Sequence, residues 1–340
     1  MPAVKSGKVL VTGANGYIAA WTVNTLLEQG YSVRGTVRSE AKAVALRQTF
    51  SKYSDRLEVI VIDDIAKEGV FDEAVKGIDA IAHLASPCHL DGDDPQEYIG
   101  PAVAGTVGLL KSALEHGPSV KRIAITSSCG TVRETPEKEV RTYTSDDWAE
   151  GPVLEVKEKG RNASQLAKYR ASKILAERAA WEFVESHKGQ LGYEIVTLCG
   201  PHIFGPPIEA PNSIDGLSAS MKLWLMRVMA ANDTVEGHEW LDARDFALAH
   251  VLAISQEAAG NNRIIVAAGP WKWQDWVNSA HGLDKRFPEG DTTYDHATTT
   301  HICRYDHSKA ENLLGLKCRS IEETTKDIVT MLQSKNLVPE

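Results

Sequence analysis

A doubly wound α/β fold, built on a mostly parallel sheet with helices on both faces, is the architecture this sequence predicts. Three observations carry that prediction. Short apolar, β-branched runs alternate with longer helical patterns through the first 200 residues. The first run breaks into Gly13-Ala14-Asn15-Gly16 and passes straight into a helical pattern. After Gly200 the alternation stops, and Pro201, Pro206, Pro207 and Pro211 introduce irregular chain.

Each element follows from its own residues. Residues 8–12 (KVLVT) are apolar without alternation, as expected of a parallel strand buried on both faces. A helical pattern over 17–29 ends at Gly30, a common helix stop. Further strands are expected at 33–37, 57–62, 80–84, 122–126 and 193–198, with helices notably at 41–50, 103–115 and 165–184. Beyond the prolines, 218–231 reads as a helix rich in Met and Trp, 263–267 as a strand, and 308–332 as two short helices. The expected organisation is a dinucleotide-binding unit over 1–200, also receiving segments near 240–268. A smaller, mostly helical substrate lobe then comes mainly from 201–340, with a cleft between the two. No repeat or low-complexity tract interrupts this plan.

Composition removes several function classes. At 340 residues the chain can bury a large α/β core. Its net charge of −9 is the wrong sign for general nucleic-acid binding. Residues 1–8 have no apolar signal segment, and no later run reaches the length of a membrane span. Cys88, Cys129, Cys199, Cys303 and Cys318 are odd in number and widely spaced, the pattern of free thiols in a reducing compartment. A cytoplasmic protein, monomeric or homodimeric, is expected. The histidines show no metal-ligand spacing, so no metal is expected.

Gly13-x-x-Gly16-x-x-Ala19 lies between a strand and a helix, the context a dinucleotide loop requires. Gly13 allows the tight turn, and Gly16 lets a pyrophosphate approach the backbone. The helix N-terminus supplies free N–H groups and partial positive charge, and Ala19 is small enough for close helix–strand packing. These features define a Rossmann-type unit. The second strand ends in Gly35-Thr36-Val37-Arg38-Ser39, without the carboxylate that binds a ribose 2′-hydroxyl. Arg38 can clamp a 2′-phosphate and Lys42 can add a second charge, which selects NADP(H).

Carbonyl reduction needs a hydride donor, a proton donor and a group that polarises the oxygen. Tyr169 and Lys173 stand four apart on one expected helix, so their Cβ atoms lie roughly 6 Å apart on one face. A tyrosine ionises near ~10 in isolation; a neighbouring ammonium stabilises phenolate and lets it exchange protons nearer neutrality. Ser128, leaving the fifth strand at its C-terminal end, can donate to the same carbonyl oxygen. Tyr305 and Lys309 repeat the spacing, but no strand-end serine precedes them, and a structural role is expected there.

With these residues in hand, the chain resembles the extended short-chain dehydrogenase/reductase family. Within it, the likeness is to dihydroflavonol 4-reductases and microbial NADPH-dependent aldehyde, ketone and methylglyoxal reductases. The matching segments are VTGANGYIA (11–19), VRGTVRS (33–39), DDI (63–65), HLASP (83–87), DP-x-E (94–97), KRIAITSS (121–128), YRASK (169–173) and FGP (204–206). The resemblance implies NADPH-dependent reduction of a ketone or aldehyde, with Tyr169 as acid, Lys173 as its partner and Ser128 rather than Ser127 as the catalytic serine. It implies further cofactor contacts from Asn15, Tyr17 and Ile18 in the first loop, and from Asp64 and Ile65 at the adenine. Ala85 and Ser86 would lie near the pyrophosphate and ribose, Thr126 and Ser127 at the end of the fifth strand, and Pro201 and Ile203 beside the nicotinamide. Two departures stand out. Residues 102–106 read AVAGT where many members carry an Asn that serves the proton-relay exit, and Cys129 follows the catalytic serine.

Two competing readings share parts of this pattern. Nucleotide-sugar epimerases and dehydratases share the fold, the Tyr and the Lys, but usually have an acidic residue after the second strand and an Arg and Asn in the segment that here reads LCGPHIFGP (198–206). A non-catalytic NADP-binding sensor would typically have lost Tyr169 or Lys173. Substrate identity belongs to the second lobe, where Cys88, Phe204, Trp224, Met226 and Trp240 are candidates for an aromatic-accepting pocket. His83 reads as a packed strand-end residue. Asp242 and Asp245 around Arg244 read as a helix cap and a surface pair.

Overall fold

The computed structural model describes residues 3–86, 92–134, 139–231 and 237–338. The chain begins with β1 (Lys8–Thr12), α1 (Tyr17–Glu28), β2 (Ser32–Val37), α2 (Glu40–Thr49), β3 (Leu57–Val61) and β4 (Ala80–His83). It continues through α3 (Gln96–His116), β5 (Arg122–Ser128), β6 (Arg141–Tyr143), α4 (Gly151–Lys159), α5 (Gln165–Ser186) and β7 (Glu194–Gly200). The remainder comprises β8 (His202–Phe204), α6 (Ala219–Ala230), β9 (Glu239–Asp242), α7 (Ala243–Ser255), β10 (Asn262–Ile265), β11 (Gly269–Pro270), α8 (Trp273–Leu283), β12 (Cys303–Tyr305) and α9 (Ile321–Ser334).

Seven of these strands form one parallel sheet in the order β10-β7-β5-β4-β1-β2-β3. The strand order reverses between β1 and β4. Such a switch point opens a crevice beyond the C-terminal strand ends, where ligands of doubly wound sheets bind. Strand alternation divides the core in two. Val9, Val11, Ala80, Ala82, Ala124, Val196 and Leu198 join the cluster that includes α1 and α7 residues. Leu10, Ile81, Ile123, Ile125 and Ile195 join the opposite cluster, with residues of α3 and α5.

The structure differs from the sequence expectation at several points. α3 begins at Gln96, ahead of the expected start at 103, and carries Pro101 inside it. Proline forfeits a helical N–H, but the buried Tyr98 anchors this first stretch through hydrogen bonds between its hydroxyl and both Gly92 N (2.6 Å) and Gln165 Oε1 (3.2 Å). The connection from β3 to β4 consists of turns without a helix. β8, β9 and β11 form a small second sheet, and β6 pairs with β12; these strands are too short to leave a periodic pattern.

Past Gly200 the chain serves two bodies. α7 packs on α1, and β10 lies at the edge of the main sheet beside β7. α6, α8 and α9 instead share a cluster containing Phe204, Trp224, Trp240, Trp271, Trp273, Trp276 and Phe287. No helix among the described residues is long and apolar enough to cross a membrane.

Candidate active site

The glycine turn sits at the switch point. Gly13 has φ +65°, where a side chain is strained, and a Cβ there would crowd the Ala85 backbone at 3.2 Å. Gly16 N donates to Gly13 O at 2.8 Å and closes the turn. Gly16 then caps α1 without any side-chain acceptor, and the first turn of α1 has no acidic residue. Free N–H groups, a helix dipole and an exposed Asn15–Gly16 edge make a cradle suited to a diphosphate. Beside it, the ends of β2 and α2 expose Arg38 and Lys42, neither hydrogen-bonded nor ion-paired within the described residues. The residues present therefore fit a dinucleotide carrying an additional phosphate.

The other expected cofactor residues divide into groups. Asp64 is exposed with its carboxylate on Ala66 N (2.9 Å), while Ile65 packs where a Cβ on Gly105 would strike it at 2.9 Å. Ala85 and Ser86 are half-buried against the glycine turn or next to it. The Tyr17 hydroxyl donates to Gly205 O at 2.5 Å, and Trp21 Nε1 reaches Pro206 O at 2.9 Å. These two bonds staple the segment after β8 to α1, with the half-buried Ile18 packed on the neighbouring core. Pro201 and Ile203 flank His202 in the same segment.

The ends of β5 and α5 supply the chemistry. Ser127 and Ser128 project to opposite sides of β5. Ser127 is buried, and its hydroxyl donates to Glu177 Oε2 at 2.6 Å, so that side chain cannot also face a cofactor. Thr126 is likewise committed, its Oγ1 lying 2.7 Å from His250 Nε2. Ser128 is half-buried and accepts from Gly130 N at 3.0 Å, which leaves its own proton to donate. Ser164 caps the start of α5, its side chain accepting from Ala167 N at 3.2 Å. Tyr169 is half-buried on this helix and Lys173 is nearly enclosed. Arg170, beside Tyr169, donates to Gly130 O (3.1 Å) and to Arg133 O, tying α5 to the turn that follows Ser128. Arg170 was not expected from the sequence; its only signal was its place inside YRASK.

His83 belongs to the same region. Thr12 Oγ1 accepts from Leu84 N (3.1 Å) and Ala85 N (3.0 Å), so its proton points to His83 Nδ1 at 2.8 Å. Burial, reinforced by the positive charge of Lys173, pushes the imidazole down to about 3. His250 is held down to about 4 by burial, with Nδ1 donating to Phe246 O at 2.7 Å. Both rings are neutral when folded and protonate below about 6.5 when unfolded, so stability falls as pH drops below that value. At pH 5 each costs roughly 2 kcal/mol relative to pH 7. His250→Gln should therefore lose roughly 2 kcal/mol less than the parent between pH 7 and pH 5 in urea titrations. An identical pH slope would contradict the assignment.

Other sequence-singled residues fall elsewhere. Trp224 and Phe204 are fully buried among core aromatics, so neither presents a side chain to a cleft, and Met226 is 59% exposed. A helix rich in Met and Trp produced that expectation; its apolar face is simply core-facing. Trp240 belongs to the same core, and Cys88 lies outside the described residues. Tyr305 is buried in β12 with its N–H on Glu239 Oε1 (3.0 Å), and Lys309 Nζ bonds Ser145 Oγ at 2.6 Å. Asp242 caps α7, accepting from Arg244 N at 2.8 Å. The expectation of a surface pair fails: Asp242 and Asp245 are both buried, the latter bonded to Arg319 N at 2.7 Å.

A parallel sheet with an uncapped glycine turn at its switch point, and a strand-end Ser128 whose following turn is tied to the helix that carries Tyr169 and Lys173, defines a short-chain dehydrogenase/reductase class of nucleotide-dependent enzyme. The chain belongs to the NAD dependent epimerase/dehydratase family, whose model matches residues 9–269. It is 32% identical to the ketoreductase azaE of Aspergillus niger, over 96% of this chain and 97% of that protein. It is also 32% identical to tetraketide alpha-pyrone reductase 1 of Arabidopsis thaliana, over 96% of this chain and 95% of the relative. Among solved structures it is similar to the yeast methylglyoxal/isovaleraldehyde reductase Gre2 complexed with NADPH, with a TM-score of 0.87, 27% identity and coverage of 97% of this chain and 100% of the other.

Proposed function

We propose that this protein is an NADPH-dependent carbonyl reductase that converts a ketone or aldehyde to an alcohol. The observation that carries the reading is the joint presence of an uncapped glycine turn, an exposed Arg38 at the end of β2, and a Ser128 turn tied to the Tyr169–Lys173 helix. When bound, NADPH supplies the hydride.

The chain's own residues do the rest. The loop from Gly13 to Ile18 and the start of α1 receive the pyrophosphate. Arg38 and Lys42 hold the 2′-phosphate. Asp64 and Ile65 flank the adenine, and Ala85, Ser86, Pro201 and Ile203 line the path to the reacting end. Ser128 donates to the substrate oxygen, and Tyr169 delivers the proton that the developing alkoxide requires. Lys173 keeps the phenol acidic enough to do so. The lobe drawn mainly from 201–340 closes over the substrate. This reading has the enzyme in the cytosol, as a monomer or homodimer with a small-molecule partner.

Epimerase or dehydratase chemistry is disfavoured by the missing carboxylate after β2 and by a 198–206 segment with neither Arg nor Asn. A sensor without activity is disfavoured by the retained Tyr169 and Lys173. The direct test is NADPH oxidation against aromatic ketones, β-ketoesters, 1,2-dicarbonyls and a dihydroflavonol. Failure of every class, with cofactor binding intact, would overturn the reading. Arg38→Asp should raise KM for NADPH roughly 10- to 100-fold, as loss of a charged hydrogen bond predicts, and shift preference towards NADH. Equal losses with both cofactors would remove Arg38 from the 2′-phosphate role.

A further inference from the structure

Behind the Ser128 turn lies a buried charge cluster that the proton-transfer chemistry leaves unused. Glu177 stands one helical turn beyond Lys173 and two beyond Tyr169 on α5. Its carboxylate takes the Arg263 Nε hydrogen bond at 2.9 Å and the Ser127 hydroxyl at 2.6 Å, and all three side chains are more than nine-tenths buried. Arg263 comes from β10 at the far edge of the sheet. Its Nη2 donates to Thr131 Oγ1 at 2.7 Å, and that hydroxyl in turn donates to Ser128 O at 2.8 Å. Nη1 holds the carbonyls of Ser145 (3.0 Å) and Asp147, while the guanidinium lies 3.7 Å from the centre of the Trp148 ring.

One guanidinium therefore reaches the Ser128 backbone through Thr131 and the Tyr169–Lys173 helix through Glu177. We propose that Arg263, Glu177 and Thr131 are positioning residues that set the separation between the Ser128 hydroxyl and the Tyr169 phenol. The proposal rests on the carbonyl-reductase reading. Its physical basis is the steepness of catalysis with distance. Groups that act together on one oxygen must be held within about 0.5 Å, and a displacement of about 1 Å can cost a hundredfold in rate. Arg170 supplies a second tie between the same two elements, but it grips the turn beyond Ser128 rather than Ser128 itself. A planar, bidentate guanidinium suits the central place because it satisfies the carboxylate, a hydroxyl and two carbonyls in fixed directions.

Removing Arg263 would strand a buried carboxylate and endanger the fold, so the test uses Thr131→Val, which keeps the shape and deletes one hydroxyl. It should lower kcat about 10- to 100-fold with the Kd for NADPH changed less than twofold, and Thr131→Ser should restore turnover. The decisive measurement is coupling. Ser128→Ala should cost about 10²- to 10³-fold in the parent, as loss of an oxyanion donor does, but less than about tenfold when combined with Thr131→Val. Full additivity of the two losses would overturn the proposal. Crystal structures provide a readout that needs no turnover: Ser128 should move by at least about 0.5 Å relative to Tyr169 in Thr131→Val. Superimposable sites would overturn the positioning role even if every carbonyl proved inert, and inert carbonyls with a displaced Ser128 would sink the reductase reading alone.

Discussion

Tyr169→Phe is expected to lower kcat with a ketone substrate by about 10³-fold, while the Kd for NADPH stays within about threefold of the parent. A positioned general acid contributes about 10²- to 10⁴-fold, and loss of the phenol proton removes the whole of that contribution. Phenylalanine preserves the ring, and the half-buried position on α5 has room for it by construction. Cofactor affinity is expected to come from the glycine turn between β1 and α1 and from Arg38 just after β2, which the change leaves in place. Steady-state kinetics paired with fluorescence titration of NADPH separates the two quantities. Parallel loss of both would mean that Tyr169 acts on binding or folding; unchanged turnover would remove it from the chemistry.

The second large effect concerns stability. Arg263→Met is expected to destabilise the protein by about 3–5 kcal/mol near neutral pH, because it leaves Glu177 ionised and buried without its cation. Burial alone pushes that carboxyl up, but the adjacent guanidinium and the Ser127 hydroxyl overcome this and hold it below its ordinary value. In the parent, a depressed carboxylate stabilises the fold above its unfolded pKa near ~4.3, and that contribution fades as pH falls through the lower folded value. In Arg263→Met the sign reverses: burial raises the folded pKa, so the deficit grows as pH rises and shrinks as pH falls towards about 4–5. Urea denaturation across this range measures both slopes. Adding Glu177→Leu should recover most of the lost stability, since an apolar replacement of a whole buried pair is close to neutral. A deficit independent of pH, or no recovery in the double variant, would show that the pair is not the source.

How much of this was readable before folding depends on where each residue's information resides. The glycine turn was legible because its constraint is local: Gly13 needs a positive φ and Gly16 needs an open face, and both follow from a strand running into a helix. Tyr169 and Lys173 were legible because helical spacing alone puts them on one face. The preference for Ser128 over Ser127 came from resemblance, and the structure adds a physical reason, since Ser127 is consumed by Glu177.

The burial of Trp224 and Phe204 was not legible, for the opposite reason. An aromatic residue on an amphipathic helix looks the same whether it faces a core or a cleft, and Trp224 faces the core while Met226 faces out. Asp245 read as a surface charge because its partner, Arg319, is 74 residues further along the chain. The bond from the Tyr17 hydroxyl to Gly205, 188 residues away, is illegible in the sequence for the same reason.

The strand–helix alternation, the dinucleotide loop, the lack of a carboxylate after β2 and the Tyr–Lys pair are legible in the residues alone, because each rests on neighbours within a few turns or on the period of a single element. Which hydroxyls are spent on the core, which aromatics are packing, and how Arg263 on an edge strand links Thr131 beside Ser128 to Glu177 on α5 emerge with the folded chain. Those outcomes depend on contacts between residues far apart in the chain, whose pairing is set when the sheet closes and the polar groups it buries must each find a partner.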